Sequence, residues 1–201
     1  MSQQTLELFG AAQPSAVALP QEPESAVGRD APYRARLASA VGAIVAGIGG
    51  GFSPGDVAAL RRLGPSGWGV PTFWRVVPRT LEPLGLVATS GDARERDEKR
   101  WAVVLGALAL VDGQHLRGVS LGKALALAQV SDLRVERLLR AHDDALYDLV
   151  RPLAHQLASK GTKFDQLGLA ELVLSDGAPH EDLVRRAIGR DFYRAEGAAN
   201  D

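Results

Sequence analysis

Residues 119–141, VSLGKALALAQVSDLRVERLLRA, constrain the fold more tightly than any other stretch of this chain. Leu121, Leu125 and Ala128 recur at helical spacing, and Ser131 or Asp132 then offers a side-chain oxygen to cap a second helix. At about 100° per residue, Val135, Leu138 and Leu139 share one arc of that second helix, while Arg134, Arg137 and Arg140 share the other. Three guanidinium groups on one exposed stripe, extended by Lys123 on the preceding helix, suit a polyanion, because each forms charge-assisted bonds with phosphate oxygens. The same pattern is also the ordinary exterior of an amphipathic helix, with Glu136 offsetting part of the charge.

The flanking sequence supplies more helices. Leu37, Val41, Ile44, Val45 and Ile48 line one helix face, which Gly49-Gly50-Gly51 terminates. Ser53 caps a second helix with Pro54 at its first position, Val57 and Leu60 inward, and Arg61 and Arg62 in its last turn, where cations complement the dipole. After a loop rich in glycine and proline, Pro71 opens a helix carrying Phe73, Trp74, Arg75, Val76 and Val77. Aromatics at helical spacing pack more often than they stack on bases, so Phe73 and Trp74 are assigned to packing. Residues 89–99, dense in charges of both signs, read as a surface loop leading into a helix with Trp101, Val104, Leu105 and Leu108 inside.

Beyond the central pair, Leu146, Leu149, Val150, Leu153 and Leu157 form another helical face, with Pro152 inside it predicting a kink or break near Arg151. Residues 165–174 and 181–192 give two further helices, the last bearing Arg185, Arg186, Arg190 and Arg194. Neither an internal repeat nor a convincing strand is evident. The expectation is an all-α chain of two packed helical-bundle units, 31–113 and 114–201. They follow a flexible acidic arm over 1–30, rich in Ala, Gln, Pro and Ser.

A formal net charge of −1 means that any nucleic-acid binding must come from local segregation of charge. The absence of cysteine excludes disulfides and thiolate chemistry and fits a reducing cytoplasm. No apolar run approaches the roughly 20 residues of a membrane span, and no secretory signal opens the chain. His115, His142, His155 and His180 are scattered without a His-x-x-x-His pair, which argues against a metal site. His142-Asp143-Asp144 could imitate a metal or acid–base cluster, but acidic residues near a helix start favour its dipole and explain the run more simply. Gly49-Gly50-Gly51 lacks the Gly-Lys-Ser/Thr of a phosphate loop, and no Gly-x-Ser-x-Gly elbow occurs. The balance points to a binding protein that needs no cofactor or metal, not to an enzyme.

Two resemblances meet at the central stretch. Ala124-Leu125, three residues, then Gln129-Val130-Ser131 mimics the spacing of a helix-turn-helix, with Gln129 where that motif usually has glycine. Ser120-Leu121-Gly122-Lys123-Ala124-Leu125, followed by an arginine-bearing helix, resembles the CasB family, the small subunit of the type I-E CRISPR surveillance complex. Pro71–Val77, after an arginine-rich helix end and a loop, is similar to the family's Pro-x-Phe-aromatic-Arg-hydrophobic helix. Arg190-Asp191-Phe192-Tyr193 resembles its basic, aromatic C-terminus. The likeness covers most of residues 33–194; the acidic N-terminus and the charged 89–99 segment depart from it.

The resemblance implies a non-catalytic architectural subunit that pairs with a second copy of itself beside the backbone and large subunits of a guide-RNA complex. Arg61, Arg62 and Arg75 from the first unit, and Lys123, Arg134, Arg137 and Arg140 from the second, would face target DNA and hold the displaced non-target strand of the R-loop. Strand exchange into an RNA–DNA duplex is nearly balanced, so backbone contacts of this kind can tip it without base readout. The alternative is a free-standing helix-turn-helix regulator that applies Lys123 and Arg134–Arg140 to duplex DNA.

Overall fold

A computed structural model describes residues 32–65 and 69–200, and among these the chain is all-α. Helix α1, Tyr33–Ala46, turns its Leu37, Ala40, Val41 and Ile44 inward as the periodicity predicts, and passes into a wider π turn over Gly47–Gly51. Helix α2, Pro54–Leu60, starts as expected: Ser53 Oγ accepts from the Asp56 N–H at 3.1 Å, and Pro54 occupies the first turn, where a missing N–H costs nothing. Helix α3, Pro71–Val76, likewise enters on proline and continues as a π turn over Val77–Leu81.

Helix α4, Gly91–Leu110, corrects the sequence reading of a loop over 89–99. Its first turns carry charge because they project past the core. Arg94 holds them by pairing at 2.7 Å with both Glu98 one turn on and Glu82 across the junction. Further along, every residue from Trp101 to Ala109 is buried, and the Trp101 indole N–H donates to the Leu86 carbonyl at 3.0 Å.

The remaining helices are α5 (Leu121–Leu127), α6 (Asp132–Arg140), α7 (Asp143–Ser159), α8 (Leu167–Leu174) and α9 (Glu181–Asn200). Ser131 takes the position before α6 but its side chain makes no cap bond there, unlike Ser120, whose Oγ accepts from the Lys123 N–H at 3.3 Å. Helix α7 runs unbroken through Pro152, so of the kink or break expected there the break does not occur. Among the described residues, a parallel bridge from His115 to Phe164 ties the loop before α5 to the loop before α8.

One buried apolar cluster joins these elements. Helix α4 packs on α7 and α8 as well as on α1 and α2, and α5 lies along α9. That last contact is a close one: a Cβ on Gly122 would sit 2.1 Å from the Ile188 carbonyl oxygen, so only glycine lets the two backbones approach this far. Phe73 is fully buried, whereas Trp74 stacks edge-on against it with 43% of its surface exposed. The acidic arm expected over 1–30 lies outside the described residues.

Candidate nucleic-acid interface

The basic residues singled out in the sequence divide into two groups. In the first half, Arg61 closes the end of α2 and reaches α4, donating from Nε to the Ala109 carbonyl at 3.0 Å and pairing with Asp112 at 3.3 Å. Arg62 beside it is exposed. Arg75 turns to the other end of α2, where its Nη1 lies 3.1 and 3.2 Å from the two oxygens of Asp56. That carboxylate also accepts from Thr72 Oγ1 at 2.5 Å and Ser53 Oγ at 2.8 Å. These bonds, the Thr72 bond foremost, hold the Asp56 carboxyl below the ordinary carboxylate range. The structure thus puts Arg61 and Arg75 at opposite ends of α2, each oriented by an acidic neighbour yet about half exposed.

On α6 the three exposed arginines follow one slanted row, three residues apart. Val135 and Leu138 are buried and Leu139 is half-buried, which fixes the inward arc. Relative to it, Arg134 lies on one flank, Arg137 and Arg140 lie on either side of the outer pole, each about 60° from the next, and Asp132 and Glu136 lie toward the opposite flank. The neighbours agree with that geometry. Arg134 Nη1 donates to Gln156 Oε1 of α7 at 2.9 Å, and both Arg134 and Arg137 border a groove between α6 and α7. Arg140 pairs at 2.8 Å with Glu136, one turn back on its own helix. On the acidic flank, Glu196 of α9 is held above its ordinary pKa, by desolvation and by Asp132. Lys123 is exposed on α5, whose principal partner is α9 rather than α7. A further cation that the sequence reading passed over, Lys160 at the C-terminal cap of α7, lies 3.4 Å from Gln129 Oε1 near the same α6–α7 seam.

Arg185 is not part of any outward basic face. Its guanidinium is buried and pairs with Asp176 at 3.0 Å and Glu181 at 2.5 Å, while Nη1 donates to the carbonyls of Leu138 and Leu139 at 3.3 and 2.9 Å. It therefore caps the end of α6 from inside. His142 Nδ1 stands 3.1 Å from Asp176 and 3.0 Å from Glu181, and the Asp143 N–H donates to Asp176 at 2.8 Å. His142, Asp176 and Glu181 bring ligand atoms within 4.8 Å of one another. The guanidinium already occupies the cationic place among them, with Nη2 3.5 Å from His142 Nδ1, so the donor set is a charge network that joins α6, α7 and α9. The His142-Asp143-Asp144 run does stand at a helix start, as read from the sequence, with both aspartates in the first turn of α7.

At the turn between α5 and α6, Gln129 adopts φ of 56°, the left-handed conformation that glycine supplies in a helix-turn-helix. The glycine missing from the sequence is therefore replaced by a strained glutamine.

The family model of CRISPR-associated protein Cse2 matches residues 56–193 of the chain. This chain belongs to the Cse2 family. Cse2 and the CasB small subunit recognised from the sequence are one family. The match encloses all seven basic residues singled out above and the whole Arg185 network. Among solved structures, a chain of E. coli Cascade bound to a PAM-containing dsDNA target superposes with a TM-score of 0.56 at 22% identity, over 77% of this chain and 97% of that one. The likeness shows that this chain shares the fold of one chain of that assembly. No curated protein matches this chain by sequence. Among the described residues, no helix is long and apolar enough to cross a membrane.

Proposed function

We propose that this chain is the non-catalytic small subunit of a type I-E-like CRISPR RNA-guided surveillance complex, where it contacts target DNA and steadies the displaced strand of the R-loop. The observation that carries the reading is the Cse2 match across residues 56–193, which spans both groups of exposed arginines. The similar chain comes from a Cascade structure bound to double-stranded DNA, which supports the same kind of assembly and ligand here. Its partners are then the backbone and large subunits, target DNA, and a second copy of itself, in the cytoplasm.

The electrostatics support backbone contact without base reading. Arg61, Arg75, Arg134 and Arg140 each have a protein partner that limits their freedom while leaving donors for phosphate. A sequence reader needs side chains free to match base edges in a groove, and the outer side of α6 offers Leu133, Asp132 and Glu136 beside an Arg140 that is paired with Glu136. A second reading, a free-standing duplex-binding regulator, rests on the left-handed turn at Gln129.

The test is charge reversal at Arg134 and Arg137 in the assembled complex. R-loop lifetime should fall, similarly for every target sequence, while the helical circular-dichroism signal stays as in the parent. An unaltered lifetime would remove α6 from the DNA-contacting surface. A loss that depends on target sequence, or that appears with isolated duplex, would favour the regulator. Replacing Arg61, Arg62 and Arg75 with Ala together should weaken DNA retention and flatten its salt dependence. On duplex DNA the slope should fall by up to about 0.9 for each phosphate that is no longer neutralised.

A further inference from the structure

The groove between α6 and α7 has a composition that phosphate contact alone does not require. It measures about 250 Å³. Val130, Leu138 and Leu153 form its buried floor, with half-buried Leu149 and exposed Pro152 at its open side. Arg134 and Arg137 stand on the rim above this apolar surface. Gln156 holds Arg134 in place at 2.9 Å and is itself anchored to the Ala128 carbonyl at 3.4 Å.

A proline inside a helix removes one backbone hydrogen bond and carries a substantial penalty, yet α7 runs through Pro152 at a position open to solvent. There the ring gives the groove a flat apolar wall that a polar surface residue would not provide.

An occupant of this groove must combine an anionic group for the two guanidiniums with an apolar, planar body for the floor. An inorganic phosphate would use the rim only. The volume lies just below the roughly 300–1,000 Å³ of pockets that enclose whole small ligands, which suits one planar ring open to solvent on one side. A nucleotide meets both conditions, provided its base is unstacked, since a base inside a duplex cannot turn its face to a protein surface.

We propose that the α6–α7 groove seats one nucleotide of a single strand, with the base against Leu149, Pro152 and Leu153 and the flanking phosphate between Arg134 and Arg137. Gln156 is then a positioning residue that keeps Arg134 over the groove. The inference rests on the nucleic-acid role proposed above and narrows it: this part of the chain takes single-stranded rather than duplex DNA, without sequence preference, because every base offers an apolar face.

The full chain can be titrated at several salt concentrations with a labelled short oligothymidylate and with an abasic strand of equal length and charge. The base-bearing strand should bind roughly five- to tenfold tighter, at the low end of what a seated base contributes. Leu149→Asn combined with Pro152→Ala should bring the two affinities together while leaving the salt slope as in the parent. The Pro152→Ala change favours the helix, so this variant keeps its fold. Arg134→Ala with Arg137→Ala should lower the slope for both strands, by about 0.7 per arginine on single-stranded DNA.

Equal affinity of the parent for both strands would overturn the nucleotide seat while leaving charge contact intact. A preference that survives the Leu149/Pro152 variant would overturn this location for the seat. Failure of either strand to bind even at low salt would overturn the seat and the nucleic-acid role of this surface together.

Discussion

Replacing Gly122 with alanine places a methyl carbon 2.1 Å from the Ile188 carbonyl oxygen, 2.9 Å from the Phe192 nitrogen and 3.0 Å from Asp191 Cβ. A comfortable carbon–oxygen contact is about 3.3–3.6 Å, so α5 and α9 must separate by more than an ångström or tilt apart. Two of the three obstructing atoms are backbone, which no rotamer change can move. Overpacking of a tight core costs about 1–3 kcal/mol, and a backbone obstruction belongs at the upper end, near 3 kcal/mol. Alanine returns something less than 1 kcal/mol of helix propensity, because Gly122 is only the second residue of α5. The net loss is about 2 kcal/mol, a drop in melting temperature of roughly 4–8 °C for a chain of this size. Thermal and urea unfolding followed by circular dichroism measure it, with an unchanged urea slope showing that unfolding remains the same process. Gly42→Ala is the control: it lies within α1 with nothing within 4 Å of the added carbon, and should be neutral or stabilising by up to about 1 kcal/mol. A Gly122→Ala protein that melts at or above the parent would refute the close-approach argument.

The buried network offers a second handle. Arg185→Ala leaves Asp176 as an uncompensated internal charge and should cost about 3–5 kcal/mol in urea unfolding; a loss under 1 kcal/mol would mean that water replaces the guanidinium. Phe73→Ala should cost a similar 3–5 kcal/mol, and Trp74→Ala well under half of that because so much of its ring is exposed; equal losses would contradict the separation of the two aromatics. The Asp56 carboxyl, lowered by Thr72 and Ser53, should titrate below the ordinary value of about 3.9 in a carboxyl NMR experiment. A depressed folded-state pKa means that its contribution is complete above the unfolded value and fades as pH falls through the folded one. Thr72→Val should raise that midpoint, and an unmoved titration would remove the Thr72 bond as the main cause.

What the sequence revealed, and what it hid, follow from the range of the interactions concerned. The inner faces of α1 and α4 were readable because Leu37, Val41, Ile44, Trp101, Val104 and Leu108 repeat within a few residues, and burial acts on that same period. The start of α4 was misread because charge density resembles a loop, whereas Arg94 uses that charge to hold a helix against Glu82. Pro152 predicted a kink or a break near Arg151, and α7, packed on α4, continues through it without a break. The Arg185 network was invisible, since His142 and Asp176 are 34 positions apart and meet only through the packing of α9. Likewise the angular order of Arg134, Arg137 and Arg140 could be drawn on a helical wheel. Which flank meets α7 could not, because that contact, Arg134 to Gln156, joins residues 22 positions apart.

The burial of α4 on all sides from Trp101 to Ala109 also determines what the chain can contribute mechanically to an assembly. A helix with one wet side can roll or slide, but this one is gripped by α1 and α2 on one hand and by α7 and α8 on the other. Any swing of one half against the other must first strip that grip and wet its apolar surface. The arginines beside α2 and those beside α7 are therefore tied through one continuous apolar core. Pulling one set away from the other in the proposed complex would have to expose part of that apolar surface to water.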